Sequence, residues 1–177
     1  MKKLFTLILG STVLVCAGAD LLPNGSFEAP VSANGDIPGW KVEKSEIISE
    51  GIKGKAIAVT PHMKLGKNML RGKVNTRCRE FTPGKKYMLS GSCRNAHALF
   101  IVAQFDWGNK KHKPISSWLG KNKFRDADKE GWQNFSLLVD VPETADIFNI
   151  IIEPIAIDKK ENTPRIILDE IKLEVLN

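Results

Sequence analysis

The stretch Lys85–Trp107, KKYMLSGSCRNAHALFIVAQFDW, constrains the fold of this chain more than any other. It divides into two runs, Tyr87–Arg94 and Ala98–Trp107, on either side of a short polar connection. Both runs alternate with the two-residue period of a β-strand whose faces meet different surroundings. Tyr87 and Leu89 belong to the core side of the first strand, and Ser90, Ser92 and Arg94 to the other. In the second, Leu99, Ile101, Ala103 and Phe105 face a core while Gln104 and Asp106 face away. Such strands suit a sheet with one buried and one open face.

The same period recurs downstream. Trp132–Val141 sets Phe135, Leu137, Val139 and Val141 against Asn134, Ser136 and Asp140. Ile147–Ile157 sets Phe148, Ile150 and Ile152 against Asn149, Ile151 and Glu153, and Ile166–Leu176 carries Ile167, Asp169, Ile171 and Leu173 on one side. Gly51–Val59 is a glycine-rich turn running into a strand, and Leu70–Phe81 is a long, rather polar strand. The turn Thr82-Pro83-Gly84 leads into Tyr87, and a hairpin at Thr82–Lys86 would pair Phe81 with Tyr87. Gly108–Gly131 is lysine-rich and weakly patterned, a long loop carrying Trp118 and Phe124. No segment after the leader has a helical period. Short strands parted by Gly, Pro, Asn and Asp turns predict an all-β, two-sheet β-sandwich of the jelly-roll kind.

The opening MKKLFTLILGSTVLVCAGAD has a basic start, an apolar run at Leu4–Val15 too short to span a bilayer, and an A-x-A pattern at Ala17-Gly18-Ala19. Residues 1–19 therefore read as a signal peptide, and 20–177 as a single secreted or periplasmic domain. The alternative is a lipoprotein anchored at Cys16, although Val15 is larger than the residue that usually precedes such a cysteine. The formal net charge is +6, two of it in the leader, and lysines occur as scattered pairs such as Lys110-Lys111. That dispersal argues against a nucleic-acid arm. Export permits a Cys78–Cys93 disulfide, whereas simple strand register puts the two thiols on opposite faces. The sequence leaves both readings open.

Six phrases in order, DLLPNGSFE, IPGW, GIKGKAIAV, FTPGKKYMLSGSCR, EGWQNFSLLVDVP and IILDEIKLEVL, span nearly the whole of residues 20–177. In order and spacing they resemble carbohydrate-binding module families four, nine, sixteen and twenty-two, the galactose-binding-like jelly rolls. The resemblance implies a non-catalytic protein that binds glycans in a cleft on one concave sheet or at its loop edge; a monomer is expected. It also implies a structural calcium ion tying the start of the domain to its last strand. The matching carboxylates are Glu28 and Asp169, with carbonyls of the Gly51–Lys55 turn as helpers. Calcium takes several hard oxygen ligands, and a carboxylate on the apolar side of a terminal strand needs a partner.

Planar amides, carboxylates and guanidinium groups match sugar hydroxyl pairs, and aromatic rings supply a platform for the C–H face. Arg94, Gln104, Asp106, Asn134 and Glu153 are the candidate polar contacts, and Trp118 is the candidate platform; a buried tryptophan pinning a loop is the other reading of Trp118. Trp40 and Trp132 lie in the recurring phrases and are expected to be structural. Ile151, Leu138 and Phe100 on nominally outer faces would instead suit a face covered by a protein partner. His62, His97 and His112 are isolated, with no metalloprotease or nucleophile-elbow spacing. Asp126–Gly131 begins like a calcium loop but lacks its closing glutamate at Leu137. A glycoside hydrolase would need Asp106 and Glu153 at working distance.

Overall fold

A computed structural model describes residues 20–107, 110–111, 115–120, 131–159 and 162–176. The leader with Cys16, the acidic run at 126–130, Phe124 and His112 lie outside the described residues. All regular structure among the described residues is strand, apart from one 3-10 residue, in two antiparallel sheets.

The smaller sheet has the order β11 (Gln133–Asp140), β7 (Lys86–Arg94), β13 (Ile166–Leu176), β3 (Ala56–Val59) and β2 (Ser45–Ile48). The larger sheet runs from β1 (Trp40–Glu43) through β6 (Lys73–Cys78) to β12 (Ile147–Ile157), and on to β5 (Met69–Arg71) and β4 (Met63–Lys64). Next to β12 on its other side is β8 (Ala98–Trp107), which also pairs with β9 (Lys110–Lys111) and β10 (Ile115–Gly120). This is the expected two-sheet β-sandwich.

Alternation sets the core. Leu89, Cys93, Leu99, Ile101, Phe105, Ile150, Ile152, Leu168 and Leu173 are all buried between the sheets. Phe148 is its aromatic centre, with ring centroids 4.9 Å from Phe105, 5.7 Å from Phe81 and 6.1 Å from Tyr87. Pro154 in β12 removes a ladder donor. It is tolerated because the partner strand is broken there: Gly72, between β5 and β6, donates its N–H to the Pro154 carbonyl at 2.9 Å.

Two expectations about connectivity are corrected. Phe81 does not pair with Tyr87, because β6 and β7 belong to opposite sheets and residues 79–85 carry the chain across the sandwich. The turn is held by the Tyr87 hydroxyl, which accepts the Thr82 N–H at 2.7 Å. β7 and β8 are likewise in opposite sheets. Asn95, with φ at 66°, donates through Nδ2 to the Arg165 carbonyl beside β13, while the His97 N–H bonds the Ile155 carbonyl of β12. Each end of the three-residue link is thereby fastened to a different sheet. A further correction concerns Gly108–Gly131, part of which is strand: β10 pairs along β8 from Ile115↔Ala103 to Gly120↔Ala98. The lysine-rich flanks hid that short strand.

The Cys78–Cys93 disulfide, left open by the sequence, is not formed in the structure. Both thiols are free and buried, Cys78 on β6 and Cys93 on β7. Burial pushes the Cys78 thiol up to about 11 and Cys93 up to about 12. Since the thiolate is the nucleophile, neither is reactive near neutrality. Native protein at pH 8 is expected to resist an aromatic disulfide reagent over the time in which urea-unfolded protein reacts at both positions. Rapid labelling of the folded state would show that one of them opens to solvent.

Candidate functional site

The crossing between β7 and β8 divides the expected polar face in two. Ser90, Ser92, Arg94, Asn134 and Ser136 belong to the smaller sheet's outer face; Gln104, Asp106, Asn149 and Glu153 belong to that of the larger sheet. These surfaces look away from each other. The apolar residues Phe100 and Ile151 accompany the second group and Leu138 the first, so they form no single patch for a protein partner.

On the smaller sheet the predicted contacts already serve the fold. The Arg94 guanidinium lies 5.1 Å from the Trp132 ring centre and pairs with Glu50 at 2.9 Å. Trp132 packs with Ala56, Ile167 and Ile48 over this outer face, a structural role as expected. Asn134 Oδ1 accepts the Ser92 hydroxyl at 2.7 Å. A shallow hollow of about 250 Å³ remains, lined by Ser90, Ser92, Asn134, Ser136, Glu170 and Lys172. Glu170 and Lys172 are paired across it at 3.0 Å.

The larger sheet offers more. Its register sets residues side by side across adjacent strands, which lie about 4.8 Å apart. One row reads Gln104, Asn149, Arg77; the next reads Ser116, Val102, Ile151, Asn75, Lys41; a third begins Trp118, Phe100, Glu153. Trp118 thus occupies an edge-strand position across from Phe100, where sequence had placed it in a loop. Phe100, Val102 and Ile151 are half-buried and form an apolar floor between the polar rows. Asn75 and Arg77 were missed in the sequence. Their signal was present in β6, whose polar Lys73, Asn75 and Arg77 alternate with buried Val74, Thr76 and Cys78.

Two carboxylates on this sheet behave differently from expectation. Glu153 is buried and binds Arg71 at 2.7 Å, so much of its capacity is already used. A buried carboxylate without such a partner would be costly. Asp106 is half-buried, with Gln104 Nε2 at 3.5 Å from its Oδ1. Glu153 stands opposite Phe100 on β8, six residues from Asp106. At about 3.4 Å per residue they are roughly 20 Å apart, far beyond the roughly 5–10 Å a glycosidase pair requires. The hydrolase reading built on this pair is therefore overturned.

The expected metal ligands do converge. Asp169, 1% exposed, accepts the N–H of Ile52 on Oδ2 and that of Glu170 on Oδ1, both at 2.7 Å. Glu28 Oε1 accepts the Lys55 N–H at 2.6 Å, so both carboxylates rest on the one turn at 51–55. Burial raises the Asp169 pKa, and the neighbouring charges of Glu170 and Glu28 push it further. Neither Glu28 nor Asp169 has a basic ion-pair partner among the described residues. Glycines make the approach possible: a Cβ on Gly51 would stand 2.9 Å from Asp169 Oδ2, and one on Gly54 2.6 Å from Glu28 Oε1. Two uncompensated carboxylates over a backbone turn suit a hard cation with oxygen ligands. Among the described residues no cluster of three or more His, Cys, Asp or Glu is present, so further ligands would be carbonyls or water.

No protein-family model and no curated protein sequence matches this chain. Solved structures do. A family-61 carbohydrate-binding module in complex with β-1,4-galactotriose superposes with a TM-score of 0.53 at 11% identity, covering 89% of this chain and 99% of that one. A family-4 module gives 0.52 at 17% identity over 88% and 99%. The enzymatically active domain of tailspike protein 4 from bacteriophage CBA120 gives 0.59 at 11% identity over 89% of this chain, which spans only 21% of that one. At these identities the likeness establishes the fold: this chain shares the β-sandwich of carbohydrate-binding modules.

Proposed function

We propose that this protein is an exported, non-catalytic glycan-binding module whose binding surface is the outer face of the larger sheet. The observation that carries the reading is the row Gln104, Asn149, Arg77 beside the half-buried Phe100, Val102 and Ile151. Three strands set two amides and a guanidinium across roughly 10 Å. Amides donate and accept at once, as vicinal sugar hydroxyls require. The apolar floor suits the C–H face of a pyranose ring. The sandwich shared with carbohydrate-binding modules supports the same conclusion. Export rests on the leader-like run at residues 1–19.

The proposal includes a structural calcium ion held by Glu28 and Asp169. Such an ion would neutralise two converging carboxylates and fasten the N-terminal segment to β13. That segment already follows β13, with the Ile171 N–H bonding the Gly25 carbonyl and the Leu21 N–H the Leu173 carbonyl.

Affinity electrophoresis against soluble β-glucan, xylan, mannan and galactan, with calcium present, tests the binding site. Retardation by at least one polymer is expected. Gln104→Ala and Asn149→Ala should each weaken it roughly fivefold, the loss of about 1 kcal/mol of hydrogen bonding. No retardation by any glycan would overturn the reading, and full retention in both variants would move the site to another surface.

A further inference from the structure

Charge is unevenly spread over the outer face of the larger sheet. Near β8 and β12, Glu153 is neutralised by Arg71 and Asp106 is accompanied by Gln104. On the β1–β6 side the register places Arg77 beside Asn149, Lys41 beside Asn75, and Lys73 beside Glu43. Glu43 reaches toward His62 at 3.7 Å. Arg77 and Arg79 are both exposed and have no ion-pair partner among the described residues. They line two adjoining hollows of about 400 and 310 Å³ at the end of β6. Acidic groups are near: Asp20 and Glu80 border the first hollow and Asp146 the second. The Asp20 Oδ1 is engaged by the N–H groups of Leu22 and Leu173.

We propose that this face selects acidic glycans, bearing uronate carboxylates or sulfate esters, with Arg77 as the anion-binding residue closing the Gln104–Asn149–Arg77 row. The inference rests on the glycan-binding reading of the same face. A neutral polysaccharide offers a guanidinium only uncharged acceptors. A carboxylate or sulfate matches its planar fork in a two-point, charge-assisted contact. The amides beside Arg77 would hold ring hydroxyls while the guanidinium takes the charged substituent. Lys41 and Lys73 add attraction from the same side, and the net charge, +6 for the full chain and +4 without residues 1–19, favours encounter with a polyanion.

Matched polymers test the idea: galactan against polygalacturonate for the carboxylate, and dextran against dextran sulfate for the sulfate. Affinity electrophoresis of the protein at 0.15 M salt should show at least tenfold tighter binding to one acidic polymer than to its neutral counterpart. Which pair shows the preference identifies the anion. Arg77→Gln should cut the acidic-to-neutral ratio by about tenfold, whereas Lys85→Gln, exposed just before β7 of the other sheet, should leave it unchanged. Thermal melts of both variants confirm that they fold. Equal binding to neutral and acidic partners overturns the inference while the glycan-binding reading stands. An equal loss of the ratio in Lys85→Gln also overturns it, since attraction would then be diffuse. Failure to bind any of the four polymers, or any neutral glycan, sinks the underlying reading.

Discussion

Asp169→Ala is expected to destabilise the fold by roughly 2–5 kcal/mol and to abolish any calcium-dependent stabilisation. The side chain is buried and takes the backbone N–H groups of Ile52 and Glu170. Removing it orphans two donors, each costing about 1–3 kcal/mol when buried. Relief of the carboxylate's own burial and of its repulsion with Glu28 offsets part of that loss. Asp169→Asn separates the effects, because the amide keeps one acceptor oxygen but loses the charge. It should cost less than alanine in calcium-free buffer. The unmodified protein should gain about 2.7 kcal/mol when calcium stands at a hundred times its dissociation constant, and Asp169→Asn should gain almost nothing. Calorimetry with chelator and with millimolar calcium reads both quantities. An unchanged calcium shift in Asp169→Asn would remove Asp169 from the metal site. No shift in the unmodified protein would leave Glu28 and Asp169 as turn-binding carboxylates alone.

Phe148→Ala is expected to cost about 3–5 kcal/mol, the range for deleting a fully buried aromatic side chain. Phe148 is 0% exposed and touches Phe105 and Tyr87, which come from opposite sheets, as well as Phe81 at the crossing between them. Its loss opens a cavity where both sheets meet, and the flanking rigid rings cannot collapse into it. Leu138→Ala is the comparison: Leu138 is 47% exposed on an outer face, so its truncation should stay within about 0.5 kcal/mol. Urea unfolding of the three proteins gives the ordering. A cost for Phe148→Ala as small as that of Leu138→Ala would mean the aromatic centre is not tightly packed.

The strands were legible because their signal is local. In β7, β8, β11 and β12 apolar residues recur at every second position over most of the strand, and most of them are buried. The order of recurring phrases singled out Glu28 and Asp169, and each carboxylate accepts a backbone N–H from the turn at 51–55. β10 escaped notice because six residues between lysine-rich flanks carry little periodic signal. Arg77 and Asn75 escaped because a polar strand reads as an edge until its neighbours are known. Arg94 and Asn134 share with Gln104 and Asp106 only the alternation of their strands, which does not say whether two strands belong to one surface.

The amino-acid sequence by itself determined that the chain is an all-β sandwich and, for β7, β8 and β12, which side of most of the strand is buried. Both follow from the two-residue period and the cost of burying polar groups. In β13 the irregularity between Asp169 and Lys172 leaves Ile167 on the outer face while Leu168, Ile171 and Leu173 are in the core, against the single side expected. Only the tertiary structure decided which strands share a sheet. A three-residue link such as 95–97 can close a hairpin or cross a sandwich, and local alternation is the same in either case. The choice rests on which backbone groups its two ends find: Arg165 beside one sheet, Ile155 in the other. That crossing separated Ser92 and Arg94 from Gln104 and Asp106, and set Gln104 beside Asn149 and Arg77.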